Sequence, residues 1–193
     1  MTEQALQRLL EGNRRYVANT PTMDGSTRRR LEVALAQKPF AAILGCVDSR
    51  VPPELIFDQG LGNLFVIRTA GQILDKGVVG SLEFGVAELH IPLIVVLGHE
   101  HCGAVKVALD ALERPNETEA DIEYVLEALG PAVAAGKSAG GDVWDRAVRA
   151  QIELVVAQLK RSPILTPAVE DGRLEIVGAW YNLDTGLVEI TVE

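Results

Sequence analysis

The stretch Phe40-Ala41-Ala42-Ile43-Leu44-Gly45-Cys46-Val47-Asp48-Ser49-Arg50 changes character at one point, apolar before Cys46 and mostly polar after it. Phe40 to Gly45, with Pro39 in front and a turn behind, has the length of a strand rather than a helix. Nothing in it alternates with polar residues, so both faces are expected to be covered, as in a parallel sheet. Two further runs behave alike, Asn63 to Ile67 and the most apolar segment of the chain, Ile91 to Leu97. Between them Val79, Leu82, Val86 and Leu89 recur at helical spacing, and Val105, Ala108, Leu109 and Leu112 do so after the third run. Strands alternating with helices predict an α/β fold with a mostly parallel central sheet flanked by helices.

Towards the N-terminus, Leu6, Leu9, Leu10 and Tyr16 fall on one face of a helix over Glu3–Val17, which ends at Asn19-Thr20-Pro21. Residues 1–20 are expected to form a helical arm on a single domain spanning 1–193, with a neighbouring subunit as a surface it could cover. Towards the C-terminus, Thr118 suits an N-cap for a helix presenting Ile122, Val125, Leu126 and Leu129, with a stop at Gly130-Pro131. Lys137–Gly141 reads as a small-residue loop, and Asp142 opens a long helix with Ile152, Val155 and Leu159 inward. The chain closes on a hairpin, Leu174–Tyr181 and Leu187–Val192 around Asp184-Thr185-Gly186. The expected sheet therefore has four parallel strands and one antiparallel strand at the C-terminal end.

The chain of 193 residues carries 27 acidic and 18 basic side chains, a net charge of -9 that argues against nucleic acid as partner. Arg28-Arg29-Arg30 is too short to alter this and reads as a solvated helix face. No apolar stretch is long enough for a membrane span. Met1-Thr2-Glu3-Gln4 lacks the basic start and apolar run of a signal peptide, which predicts a cytoplasmic protein with reduced thiols. In that setting two cysteines, Cys46 and Cys102, point to metal binding or catalysis before a disulfide.

Both lie in short polar segments directly after expected strands, Cys46-Val47-Asp48-Ser49-Arg50 and His99-Glu100-His101-Cys102-Gly103. In open α/β sheets ligands bind at the carboxyl ends of strands, so the fold can bring these segments together. Taken singly, a free Cys is usually a small core residue and a His a satisfied polar one. Taken together, Cys46, His99 and Cys102 supply the Cys2His set of a catalytic zinc site, with water or Asp48 in the fourth position.

The pairing of Cys-x-Asp-Ser-Arg with His-x-x-Cys resembles the β-class carbonic anhydrases. Val51-Pro52-Pro53-Glu54, Leu64–Gly71 with Arg68, Gly98-His99, Gly103-Ala104-Val105, Gly178-Ala179-Trp180-Tyr181 and Asp184-Thr185-Gly186 extend the likeness over most of the chain. The resemblance implies zinc on Cys46, His99 and Cys102, and a catalytic dyad of Asp48 and Arg50. In the dyad the guanidinium holds the carboxylate off the metal, where it can accept a hydrogen bond from the zinc-bound water. Zinc-bound hydroxide then converts CO2 to bicarbonate. The resemblance also implies a substrate site of Gln37, Phe65, Ala70, Phe84 and the Gly103 N–H, completed across a homodimer or tetramer, with Phe84 where relatives often have tyrosine. A second subtype binds bicarbonate away from the metal through a Trp, an Arg and a Tyr, and switches the Asp onto zinc. Here Ile43 stands at the Trp position, with Arg68 and Tyr181 at the others, which implies the open, non-switching subtype.

Other chemistries fit less well. A thiol phosphatase needs Arg six residues after its Cys, and position 52 is Pro. Gly60-Leu61-Gly62 lacks the third glycine of a dinucleotide fingerprint and reads as a turn. No Cys-x-x-Cys redox pair is present. His101 is expected to be a non-ligand and Glu83 a structural group, while His90 sits at a helix end, where a cation is favourable, and is assigned no chemistry. A carbonyl sulfide or carbon disulfide hydrolase on the same scaffold, and a closed structural zinc module, are the competing readings.

Overall fold

The computed structural model describes residues 2–111, 121–138 and 141–192. Among them lie α1 (Thr2–Val17), α2 (Thr27–Glu32), β1 (Ala41–Cys46), α3 (Pro53–Ile56), β2 (Leu64–Thr69), a 3-10 turn (Ala70–Gln72) and α4 (Lys76–Ala87). These are followed by β3 (Leu93–His99), α5 (Gly103–Ala111), α6 (Asp121–Ser138), α7 (Val143–Leu159), α8 (Leu165–Glu170), β4 (Glu175–Tyr181) and β5 (Val188–Val192). The sheet runs in the order β2-β1-β3-β4-β5. The first four strands pair in parallel and β5 pairs antiparallel with β4, as the runs and the hairpin predict.

Every residue of β1 and β3 is buried, because these strands are central and covered on both faces. One face carries Ala42, Leu44, Cys46, Ile94 and Val96 against α4 to α7. The other carries Ala41, Ile43, Leu93, Val95 and Leu97 against α1 and α3. The apolar run of β2 predicts the same depth, but all its residues are only half-buried, because β2 is an edge strand.

Three further differences have physical causes. The inward stripe of α1 is Ala5, Leu9, Gly12 and Asn13; of the expected face, Leu9 is fully buried and Leu6 packs against the core, whereas Leu10 is half-buried and Tyr16 exposed. Asn13 reaches the core because its amide is satisfied there, donating to the carbonyls of Ile56 and Gly186 and accepting from the Val188 N–H. A Cβ at Gly12 would lie 1.8 Å from the Phe57 carbonyl oxygen, so only glycine lets the helix approach this closely. Within this chain α1 thus packs on its own sheet. In the second departure, α6 continues through Gly130-Pro131 to Ser138. Proline removes one helix hydrogen bond, but Leu129, Ala132, Val133 and Gly136 are buried along one face, and packing outweighs the local penalty. Lys137 and Ser138 therefore belong to the helix, and Thr118 and Leu112 lie outside the described residues. Finally, the arginine run forms α2, but only Arg28 and Arg30 are solvated; Arg29 is half-buried and donates to the Leu61 carbonyl and the Asn63 side chain.

The expected N-cap of α7 is present, with the Asp142 carboxylate accepting from the N–H groups of Trp144 and Asp145. Gly60-Leu61-Gly62 is a turn, with Gly62 at φ 82°. Glu83 is structural, taking a 2.6 Å hydrogen bond from the Ser162 hydroxyl. No described helix is long and apolar enough to cross a membrane.

Candidate metal centre

Cys46 is the last residue of β1 and His99 the last of β3, while Cys102 immediately precedes α5. The shared parallel register of β1 and β3 brings both strand ends to one edge of the sheet. One ligand atom from each of these three buried residues lies within 4.8 Å of the other two. The two sulfurs are 3.9 Å apart, far beyond disulfide length, and both thiols are free. Two thiolates on a tetrahedral ion with metal–sulfur bonds of ~2.3 Å would be about 3.8 Å apart, so the spacing fits a bound metal.

The donor set supports that fit. His99 Nδ1 lies 2.8 Å from the Glu100 carbonyl, which makes it the protonated nitrogen. Nε2 then carries the lone pair, is buried and has no hydrogen-bond partner. A neighbouring carbonyl that fixes the tautomer is the usual support of a metal-bound imidazole. The hydrogen bond from Cys102 pulls the Cys46 thiol well down, helped by His99 and the Gly71 N–H, while that same bond and burial push Cys102 up. A cation between the sulfurs would hold both as thiolates.

Gly71 sits at φ 64° in the 3-10 turn, and its N–H points to the Cys46 sulfur at 3.4 Å. A Cβ there would meet Leu129 at 3.0 Å, so both backbone angle and space call for glycine. The Trp144 indole donates to the Cys102 carbonyl at 2.9 Å.

Asp48 Oδ2 lies 3.8 Å from His99 Nε2, beside the three ligand atoms. The carboxylate is turned towards Arg50, which donates from Nε to Oδ1 at 3.0 Å, from Nη2 to Oδ2 at 2.7 Å and from its backbone N–H to Oδ1 at 2.9 Å. These hydrogen bonds hold the Asp48 carboxyl down at about 2. Arg68 of β2 fastens the same loop from behind, donating from Nε to the Cys46 carbonyl at 2.7 Å and from Nη2 to the Asp48 carbonyl at 2.5 Å.

A cavity of about 430 Å³ opens onto the cluster. Cys46, Asp48, Ala70 and Gly103 are at its inner end, with Val107, Val125 and Leu126 in its wall. Gln37, Phe65 and Phe84 are elsewhere. Gln37 is exposed in the loop before β1, at the opposite end of the strand from Cys46. Phe65 is half-buried in β2 near Gly85, and Phe84 on α4 is 49% exposed. His101 is not part of the metal-capable group; its ring is tilted against Trp144 at 5.0 Å, and its carbonyl faces Arg50. Ile43 is buried, and the Tyr181 hydroxyl lies 3.4 Å from that of Tyr16. The sequence holds no direct signal for the contacts of Gly71, Trp144 and the α6 wall, which arise only when distant segments meet.

Fold and centre together define an α/β protein with a buried Cys2His group that could hold a metal ion, beside a carboxylate held by an arginine. The family model for carbonic anhydrase matches residues 41–188. A carbonic anhydrase of Mycolicibacterium smegmatis is 41% identical over 96% of this chain and 91% of its own length. Carbonic anhydrase 2 of Mycobacterium tuberculosis is 43% identical, over 94% of this chain and 89% of that protein. Among solved structures, a Coccomyxa β-carbonic anhydrase in complex with acetazolamide superposes with a TM-score of 0.78 at 31% identity, covering 97% of this chain and 86% of that one. A tetrameric β-carbonic anhydrase of Sordaria macrospora shares the fold, with a TM-score of 0.75 at 23% identity over 83% and 84% of the two chains. The chain belongs to the β-carbonic anhydrase family.

Proposed function

We propose that this chain is a zinc-dependent carbonate dehydratase that interconverts CO2 and bicarbonate. One observation carries the reading: three buried ligand atoms converge beside an apolar cavity that Cys46 lines, next to a carboxylate that Arg50 holds away from them. Zinc on Cys46, His99 and Cys102 would lower the pKa of a bound water to about 7, which supplies a nucleophile at neutral pH.

The protein's own groups do the rest. Asp48, kept ionised by Arg50, is an acceptor that orients the proton of the nucleophilic water. The apolar wall excludes bulk water and suits a small uncharged substrate. Gly103 opens α5, where backbone N–H groups lack intrahelical partners, so it can donate to a substrate oxygen. A structural zinc site has no use for an arginine that draws a carboxylate away, nor for a cavity at the metal.

Gln37, Phe65 and Phe84 do not line this chain's own cavity, so we assign them to the site of a second copy. The half-buried edge strand β2 and exposed Phe84, Leu31 and Leu35 favour a dimer or a multiple of it, because exposed apolar edges tend to be covered. Sedimentation at micromolar concentration checks this, and an active monomer would contradict it. Two reduced thiols favour a cytoplasmic setting, and we read residues 1–193 as one domain. The decisive assay compares CO2 hydration with carbonyl sulfide and carbon disulfide hydrolysis on one purified sample. We expect CO2 to be the preferred substrate; faster turnover of either sulfur compound would overturn this.

A further inference from the structure

At the other end of the sheet from the metal centre lies a cavity of about 600 Å³, larger than the one at the cluster. It sits where β1 and β3 begin, and these strands of six and seven residues separate it from Cys46 and His99 by about 20 Å at 3.3 Å per residue. Its floor is apolar, formed chiefly by Phe40, Val86, Leu89 and Ile91. Its rim carries Arg8, Lys38, His90 and Arg173, and among the described residues no acidic side chain lines it.

In a chain of net charge -9, Arg8, Lys38 and Arg173 around one apolar cavity form a local reversal of sign. Arg173 is paired with Asp171 at 3.0 Å, whereas Arg8 and Lys38 form no ion pair among the described residues. The Arg8 guanidinium lies over the Phe40 ring at 3.9 Å, which sets a planar cation at the edge of the apolar floor. Burial disfavours its charge, and the nearby Arg29 and Arg15 add to this. His90 is held at φ 55° just past the end of α4, an uncommon conformation for a non-glycine residue that puts the imidazole at the rim. None of Gln37, Phe65 and Phe84 lines this cavity.

We propose that this cavity is a second ligand site, for an amphipathic monocarboxylate. The carboxylate sits between Arg8 and Lys38, and the hydrocarbon body lies along Phe40, Val86, Leu89 and Ile91. The volume falls in the ordinary range for small-molecule sites. A carboxylate matches the guanidinium fork, and a few polar groups around an apolar interior are the usual composition of such a pocket. Inorganic anions would engage the rim but leave the floor wet, and neutral lipids would fill the floor but leave the cations unmet.

The test is calorimetric titration of the holoenzyme with octanoate, with azide saturating the metal centre so that carboxylate binding there is blocked. One octanoate per chain is expected, with 1-octanol binding at least tenfold more weakly. The double variant Arg8→Gln/Lys38→Gln should bind octanoate at least tenfold more weakly while keeping wild-type CO2 hydration. Because Arg8 also contacts Phe40, Leu89→Trp serves as an independent probe that fills the floor and leaves the charges, and it should abolish binding. No saturable binding by the wild type at millimolar octanoate, equal affinity for octanol, or undiminished binding by either variant would overturn the proposal.

Discussion

Arg50→Ala separates a catalytic dyad from a structural ion pair. The substitution removes the two guanidinium hydrogen bonds to Asp48, at 3.0 and 2.7 Å, and leaves the backbone N–H at 2.9 Å. Hydrogen bonds to charged groups contribute roughly 1.5–3 kcal/mol each when shielded. The Arg50 side chain is 54% exposed, so solvent screening reduces the two to about 2 kcal/mol together. Once released, Asp48 needs only a small rotation to reach the ligand cluster, because Oδ2 is already 3.8 Å from His99 Nε2. A preference weakened by about 2 kcal/mol moves the competition between water and carboxylate for the fourth position by about 30-fold. The variant should therefore keep one metal ion per chain by elemental analysis and lose CO2 hydration by up to about that factor in stopped-flow assays. Arg50→Lys, with a point charge but no fork, should fall between. Full activity in Arg50→Ala would refute the dyad, and loss of the metal would make Arg50 a structural prop.

Cys102→Ala should lose metal and activity together; a full metal complement in that variant would remove Cys102 from the ligand set. Gly12→Ala should lower thermal stability sharply, by about 1–3 kcal/mol or more, because the added methyl meets a backbone carbonyl that cannot yield; an unchanged Tm would mean that α1 does not pack on its own sheet in solution. The Asp48–Arg50 pair contributes stability that is complete above the ordinary Asp value of about 4 and is lost as pH falls towards about 2. The stability difference between wild type and Arg50→Ala in urea titrations should accordingly vanish in that acid window and stay constant above about pH 5. Activity should rise with pH along a one-proton curve with a midpoint of about 7, and added bicarbonate should cause product inhibition only; a steeper, bicarbonate-deepened loss at low pH would show the switching subtype instead.

What the sequence made legible follows from which interactions are local. β1 and β3 announce themselves because burial on both faces leaves no polar side chain before the closing Cys46 and His99. The ligands are legible for a related reason: each sits where an apolar run breaks into polar chemistry at a strand's carboxyl end. β2 looks the same in composition yet lies at the edge, since its run fixes the strand and not its place in the sheet order. Asn13 and Gly12 are hidden more deeply. A polar amide and a missing side chain carry no hydrophobic signal, and their inward position depends on carbonyls of Ile56, Phe57 and Gly186 supplied from far along the chain. The continuation of α6 past Pro131 is likewise decided by the buried face it shows to α7, which outweighs a local stop.

The same distinction bears on whether Asp48 can change partner. In the sequence, Arg68 and Tyr181 look like two thirds of an anion site with Ile43 as the missing third. In the fold, both are already occupied. Arg68 spends its Nε and Nη2 donors on the carbonyls of Cys46 and Asp48, and the Tyr181 hydroxyl faces that of Tyr16. Ile43 is buried with no donor to offer. Bicarbonate at this place would have to take Arg68 from two backbone carbonyls and bury a charge among groups that cannot replace those bonds, which is costly. Removing Arg68 from the loop would also loosen the segment that carries both Cys46 and the dyad. The arrangement therefore favours an Asp48 that stays with Arg50, and it makes Arg68 the residue that links the orientation of the carboxylate to the position of the first ligand.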